Sequence, residues 1–467
     1  MGIGGIGMSA IARILLARGQ RVSGSDLKDT PLIARLREEG ADVRIGHDAA
    51  NVEHAHTVIV SSAIDRRNPE YLAAQRRHLP LLHRGEMLAE LLRNRSGIAV
   101  CGTHGKTTTT AMIAAVLRAG GIDASLALGG IDGSLGTNAY DGRAPWFITE
   151  ADESDGSFAL LDPKIAVVTN IENDHLQSDD ELPQLVRAFE EFLRKLPEDG
   201  CAIVGVDPST GSGQAGSGQA LAASLVGCER RARTVTFGFG PRADVRASNV
   251  RAQGLGTSFD AIAGDVCLGT IELNAPGAIN VQNALAAVAV ARELEIPFVR
   301  VAEGLNAFRG VRRRFDILVR TDRMVLVDDY AHHPTAIRAT IAAARQYHRG
   351  PLIVAFQPHR YTRTAYLARD FADALKGADH VYLTPIYAAS EPAIPGVSER
   401  SIGEPLAALG TRVSYVTRVD ELEERLLEEA PRGALVLMFG AGNITDVAAR
   451  LAQHVNHAGT QVVGRGG

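Results

Sequence analysis

Ile98-Ala99-Val100-Cys101-Gly102-Thr103-His104-Gly105-Lys106-Thr107 is the stretch that decides the fold. Its first four residues form an apolar run suited to a buried strand, the glycines permit a tight turn, and a helical pattern follows from Thr108. A strand that turns through glycine into a helix aims successive backbone N–H groups, and the positive end of the helix dipole, at one point. That point suits a phosphate chain, with Lys106 reaching the β- and γ-phosphates and the Thr107 hydroxyl holding a magnesium ion. The usual spacing puts a glycine where Val100 stands, so the loop is a shorter variant. An accidental strand–helix turn rarely carries a lysine followed by four threonines in this context, and the reading is that the chain uses ATP.

Outward from this loop the chain divides into α/β units. At 467 residues it is too long for one core, and about three domains of ~150 residues are expected. Residues 1–95 alternate short apolar runs (Arg21–Ser23, Thr57–Val60) with helical patterns (Met8–Arg18, Leu32–Glu39). Residues 96–314 add strands at Trp146–Ile148, Ile165–Val168 and Cys267–Leu273 and a helix at Val281–Leu294. Within this unit the Gly/Ser-rich stretch Ser209–Gln219 reads as a flexible loop that buries nothing. Residues 315–467 alternate again, with strands at Met324–Val327, Leu352–Phe356, Val381–Thr384 and Leu435–Phe439.

Composition excludes several classes. A hydrophobic content of 45%, a charged content of 22% and a net charge of −5 describe a globular protein without a basic field for nucleic acid. Cys101, Cys201, Cys228 and Cys267 have no close-spaced pairing, which argues against a disulfide framework or a structural zinc site and fits a reducing cytoplasm. The N-terminus lacks a basic segment followed by an apolar one, and no apolar run reaches about 18 residues, so neither secretion nor membrane spanning is expected.

Further motifs carry chemistry. Gly2-Ile3-Gly4-Gly5-Ile6-Gly7, followed by Asp26 at a strand end, has the spacing of a dinucleotide fingerprint and by itself points to NAD. The same geometry serves any diphosphate joined to a ribose. Only Met1 precedes Gly2, so a sheet lacking an edge is one expectation. Ser61 and Ser62, with His83 and Arg84, add polar groups to that crevice or act as helix caps. In the second unit the clusters Glu150–Asp155 and Asn170–His175 follow strands, where open α/β sheets place ligands. Glu150 is a natural magnesium ligand there and His175 a less usual one. Asn280 and Asn283 share one side of a helix start. Arg312-Arg313-Arg314-Phe315 is either a solvated basic run or a guanidinium aimed at transferring phosphate. Asp328–Pro334 and Gln357–Arg363 form two dense polar loops after what reads as neighbouring strands, a setting for a small carboxylate.

In this order Gly102–Thr108, Glu150–Asp155, Asn280 with Asn283, Arg313–Phe315, Asp328–Pro334 and Phe356–Arg363 closely resemble the Mur ligase family over essentially the whole chain. The resemblance implies an α/β, three-domain Mur ligase architecture: a Rossmann-like N-terminal domain (1–95), a central P-loop ATPase-like domain (96–314) and a Rossmann-like C-terminal domain (315–467). It implies ATP-dependent ligation of L-alanine to the lactoyl carboxylate of UDP-N-acetylmuramate, the last motif being like that of members taking free alanine rather than a ready-made peptide. Gly102, Thr103, His104, Gly105, Lys106, Thr107 and Thr108 are thereby expected to bind ATP, with Asn280, Asn283, Arg314 and Asp329. Two magnesium ions are expected on Thr107, Glu150 and His175. Lys106, Glu150, His175 and Arg314 are the expected catalytic set. Gly4, Gly5, Gly7, Asp26, Ser61, Ser62, His83 and Arg84 would receive the UDP-sugar, and Tyr330, His332, His359, Arg360 and Arg363 the alanine. A cytoplasmic monomer or weak homodimer is expected. Two positions depart from the family: Ile279 precedes Asn280 where histidine is usual, and Asn443 stands where aspartate is common.

Overall fold

In the computed structural model of the chain, residues 1–152, 156–171, 181–207, 221–389 and 391–463 are described. Ser209–Gln219, Glu153–Asp155 and His175 lie outside them. The strands Ser96–Cys101, Ile165–Val168 and Cys201–Gly205 are continuous apolar runs, so they suit a parallel sheet covered on both faces. Among the described residues they belong to a ten-stranded sheet. Its order is Val266–Leu273, Gly256–Ala263, Val245–Gln253, Arg233–Gly238, Cys201–Gly205, Ile165–Val168, Ser96–Cys101, Trp146–Glu150, Ser125–Ala127, Ala139–Tyr140. The first three run antiparallel to one another, and Gly256–Ala263 alternates buried and half-buried residues as a sheet with one covered face should. The strand Ser96–Cys101 is flanked by parallel partners on both sides, which places its carboxyl end at the point where the chain connections diverge.

One face of this sheet carries the helices Lys106–Ala119 and Ala278–Glu293. Ala284 to Ala291 are all fully buried, because a helix apolar on every side has no face to give to water. The other face meets Ile6–Ala17, Arg84–Leu92 and Glu181–Arg194, with Phe158, Phe189 and Phe192 in its core. Asn138 ties the first of these helices down by donating to the Ile6 carbonyl (2.7 Å) and the Ser9 hydroxyl (2.9 Å), and Arg13 donates to Thr137 and to Asn138.

The N-terminal unit differs from expectation. Its sheet is interrupted at the middle, not at an edge: Ser23–Asp26 pairs with Asp42–Ile45, and Val58–Val60 pairs with Leu81–His83, as two separate parallel pairs. Met1–Ile3 lies between them. The Met1 amino group donates to the Ile59 carbonyl (2.8 Å), and Gly2 and Ile3 donate to the Ser25 carbonyl (2.8 and 3.0 Å). These bonds reach both pairs without forming a ladder.

In the C-terminal unit the described sheet runs Asp316–Arg320, Met324–Asp329, Ala434–Phe439, Leu352–Phe356, His380–Leu383, Arg412–Tyr415, parallel except for the first pair. The two polar loops therefore do not leave neighbouring strands. Ala434–Phe439 intervenes, since its buried run pairs with both Met324–Asp329 and Leu352–Phe356. Among the described residues no helix is long and apolar enough to cross a membrane.

Candidate active site

The glycine turn after Cys101 is held by its neighbours. Gly102 (φ +120°) has no room for a Cβ, which would lie 2.3 Å from Thr169 Oγ1, and Gly105 (φ +82°) would bring one to 2.5 Å from Asn283 Oδ1. Asn170 accepts from the His104 N–H (2.8 Å) and donates to the His104 carbonyl (3.0 Å), while Thr169 Oγ1 donates to that same carbonyl (2.6 Å). Asn170 thus braces the turn. The helix begins at Lys106, slightly ahead of the expected Thr108, and Lys106 Nζ donates to the Gly102 carbonyl (2.7 Å).

The threonines that follow divide their duties. Thr107 Oγ1 donates to Glu150 Oε2 (2.9 Å), Thr109 Oγ1 to Asn283 Oδ1 (3.0 Å) and Thr110 Oγ1 to the Lys106 carbonyl (2.8 Å). Glu150 ends its strand and also accepts from the Gly129 N–H (2.5 Å). Desolvation raises its pKa, against the pull of the Gly129 N–H, the Thr107 hydroxyl and the Lys106 and Arg314 charges. A carboxylate touching a hydroxyl offers the hard oxygen donors that magnesium takes, so Thr107 and Glu150 fit such an ion. Among the described residues no group of three His, Cys, Asp or Glu forms a ready cation cage.

Asn280 and Asn283 do face one side. Asn283 Nδ2 donates to Asn280 Oδ1 (3.4 Å), and Asn280 Nδ2 to the Pro276 carbonyl (2.7 Å). Arg314 closes a tight turn by donating its N–H to the Val311 carbonyl (3.0 Å), and its guanidinium sits 5.1 Å over the Tyr330 ring. Asp329 accepts from the Ala331 N–H (2.8 Å) and the Phe315 N–H (2.9 Å); burial raises its pKa while Arg314 opposes the shift.

These groups line one cavity of about 790 Å³ where all three units converge. The phosphate loop from Thr103 to Thr108 and Glu150 form its central wall. Asn280, Asn283 and Arg314 of the central unit also line it, with Asp329, Tyr330 and His332 of the C-terminal unit and Gly5, Gly7, Ser61 and Arg84 of the N-terminal unit. The remaining N-terminal candidates stand apart from its lining. Gly4 donates to Asp26 Oδ2 (2.9 Å), which holds that carboxylate against the glycine loop. His83 accepts from the Gly85 N–H (3.2 Å) as a helix cap, and its other ring nitrogen meets Ser62 Oγ (2.9 Å).

His359, Arg360 and Arg363 are also not in the lining, but rings lead to them. Tyr330 and His332 lie 5.0 Å apart, His332 and His359 5.8 Å, and His359 stacks on Tyr387 at 5.6 Å. Burial, with Arg363 and Arg360, lowers the His359 pKa to about 4, so the imidazole is neutral at pH 7. Arg360 Nε lies 4.0 Å from Glu391. Asn443 accepts from Gln357 Nε2 (2.8 Å), which gives this departure from the family a local partner.

Sequence reasoning missed Tyr387, Gly129 and the small face of the helix Pro334–Tyr347, where Ala336, Ala339 and Ala343 line the cavity. Tyr387 follows a strand end just as the two polar loops do, and that signal was available. The alanines carry none.

Three family models match the chain: Mur ligase family, catalytic domain, over residues 1–96; Mur ligase middle domain, over 100–291; and Mur ligase, glutamate ligase domain, over 313–442. The UDP-N-acetylmuramate–L-alanine ligase of Acidithiobacillus ferrooxidans is 45% identical over 459 residues, covering 97% of this chain and 96% of its own. That of Geotalea daltonii is 43% identical, with 98% of each covered. The crystal structure of the UDP-N-acetylmuramate–alanine ligase from Thermotoga maritima superposes with a TM-score of 0.83 at 30% identity, covering 98% of both chains. A murein peptide ligase from Psychrobacter arcticus shares the fold, with a TM-score of 0.71 at 24% identity and 97% of both chains covered.

Proposed function

The chain belongs to the Mur ligase family, and from that premise we propose that it joins L-alanine to the lactoyl carboxylate of UDP-N-acetylmuramate, driven by ATP, in peptidoglycan precursor synthesis. It is an amide-bond-forming ligase. A carboxylate oxygen attacks the γ-phosphorus of ATP, the bond to the bridging oxygen breaks, and ADP leaves behind an acyl phosphate. The alanine amine then attacks the acyl carbon and loses a proton, and phosphate departs.

One observation carries the reading at the level of residues: the phosphate loop, Glu150, Arg314, Asp329 and Tyr330 share a cavity to which each of the three units contributes. Residues 1–95 are assigned to the UDP-sugar, 96–314 to ATP and 315–467 to the amino acid. Lys106 and Arg314 offset charge on the transferring phosphoryl, and Asn280, Asn283 and Asp329 orient the nucleotide. Magnesium would be held by Thr107 and by Glu150 with His175, two ions in all, and would neutralise phosphate oxygens when bound. Gly5, Gly7, Ser61 and Arg84 stand on the UDP-sugar side, with Gly4, Asp26, Ser62 and His83 in support. Tyr330, His332, His359, Arg360 and Arg363 surround the alanine, whose carboxylate suits the guanidinium forks. A cytoplasmic monomer or weak homodimer completes the proposal, with light scattering as the check on its assembly.

Phosphate release from ATP tests the activity across L-alanine, other amino acids and a ready-made peptide, with and without UDP-N-acetylmuramate. Release that requires both the sugar nucleotide and L-alanine is expected. Release with the peptide but not with alanine would overturn the assignment.

A further inference from the structure

Of the adjacent arginines before Phe315, Arg314 lines the cavity and Arg313 does not. Arg313 is instead tied to the carboxyl ends of two inner strands of the C-terminal sheet, Met324–Asp329 and Ala434–Phe439. Its Nη2 donates to the Gly440 carbonyl (2.7 Å), its Nε lies 3.8 Å from Asp328 Oδ2, and its guanidinium sits 4.9 Å over the Tyr330 ring. Its backbone carbonyl accepts from the Tyr330 N–H (2.7 Å). Asp328, 2% exposed, is itself fixed by Thr445 Oγ1 (2.5 Å). Just upstream the same segment is bound to the central unit, where Arg312 donates to the Ile131 carbonyl (2.9 Å), Gly133 to the Gly310 carbonyl (2.9 Å), and Val311 bridges Asp132.

The backbone here is costly. Arg313 (φ +62°) and Phe315 (φ +48°) are both left-handed, on either side of Arg314, and non-glycine residues hold such angles only where their surroundings impose them. Anchors on two units and a strained turn converge on the one residue between them.

We propose that Arg313 is the positioning residue for Arg314: it pins the linker between the central and C-terminal units so that the next guanidinium is presented, already ordered, to the nucleotide. The proposal rests on the reading of Arg314 as a nucleotide contact. Ordering the segment beforehand spares the complex that entropy loss on binding.

A double-mutant cycle on the dissociation constant of magnesium–ATP, measured by calorimetry on the full chain, separates this role from a merely structural one. Arg313→Ala should weaken ATP roughly tenfold, yet change it less than about twofold when Arg314 is already alanine. Arg313→Lys, which keeps the charge opposite Asp328 but loses the fork, serves if the alanine variant fails to fold, and should follow the same pattern. If Arg314→Ala weakens ATP but the Arg313 effect is absent or fully additive, the positioning role is overturned and the nucleotide contact stands. Unchanged ATP affinity in Arg314→Ala overturns both.

Discussion

Two glycine turns lead into helices in this chain, and they are built differently. The turn Gly102–Gly105 springs from a strand paired on both sides and is clamped by Thr169, Asn170 and Asn283. The turn Gly2–Gly5 rises from Met1–Ile3, which bonds to two separate strand pairs and forms a ladder with neither; its Gly4 N–H is already spent on Asp26. Both sequences permit a backbone to bend. What each bend can hold depends on what fixes it and on where its N–H groups point.

The largest expected break in this comparison comes at Lys106. Lys106→Ala should reduce alanine-dependent phosphate release by roughly 10³-fold or more, since the proposed role of this side chain is to offset charge on the transferring phosphoryl. Activity within tenfold of wild type would put the two turns on equal footing.

Glu150→Gln comes next, with turnover reduced on the order of 10²-fold. Its stability should move the other way. The Glu150 pKa is raised in the fold, so the group contributes stability below the ordinary carboxylate range that is lost as pH rises through the folded value. The glutamine variant, without ligands, should therefore melt above wild type at pH 7 to 8, and the gap should close near pH 4. A gap that does not vary with pH refutes the assignment.

Gly105→Ala should destabilise by about 1–3 kcal/mol, since it combines a left-handed angle with a clash against Asn283. Gly5→Ala should change stability by less than about 0.5 kcal/mol, because Gly5 has φ −66° and the nearest atom to a new Cβ is 3.4 Å away. Denaturant melts of the pair read the contrast directly. Equal losses would mean that the clamp around the central turn is immaterial.

A smaller effect sharpens the view of the amino-acid loops. The His359 imidazole should titrate near pH 4 by NMR, and Arg363→Gln should move it upward by removing the largest repulsive charge. A wild-type titration near 6.5 would show that the ring is neither buried nor beside those cations.

Much of the site was legible because strand ends are. Ile165–Val168 and Leu352–Phe356 begin and end as their apolar runs do; the first is followed at its carboxyl end by Thr169 and Asn170, the second by the loop Gln357–Arg360. Helix starts were less legible. Ala278 and Lys106 precede the expected first residues because the opening turn of a helix is polar or small and carries no apolar period. The placing of Ala434–Phe439 between the two polar loops was invisible, because every buried strand in the unit reads alike.

Sequence alone determined which chemistry is present: the glycine turn with its lysine, the carboxylate and asparagines at strand and helix ends, the arginine run and the histidine loops. These follow from local patterns, in which period, turn residues and charge act over a few neighbours. Tertiary structure alone decided that Asn283 reaches across to brace the phosphate turn, that Asp26 bonds to its own glycine loop, and that Arg314 lines the cavity while Arg313 bonds to the Gly440 carbonyl. Such outcomes depend on contacts between residues far apart in the chain, and those are set when helices and strands compete for the same buried space.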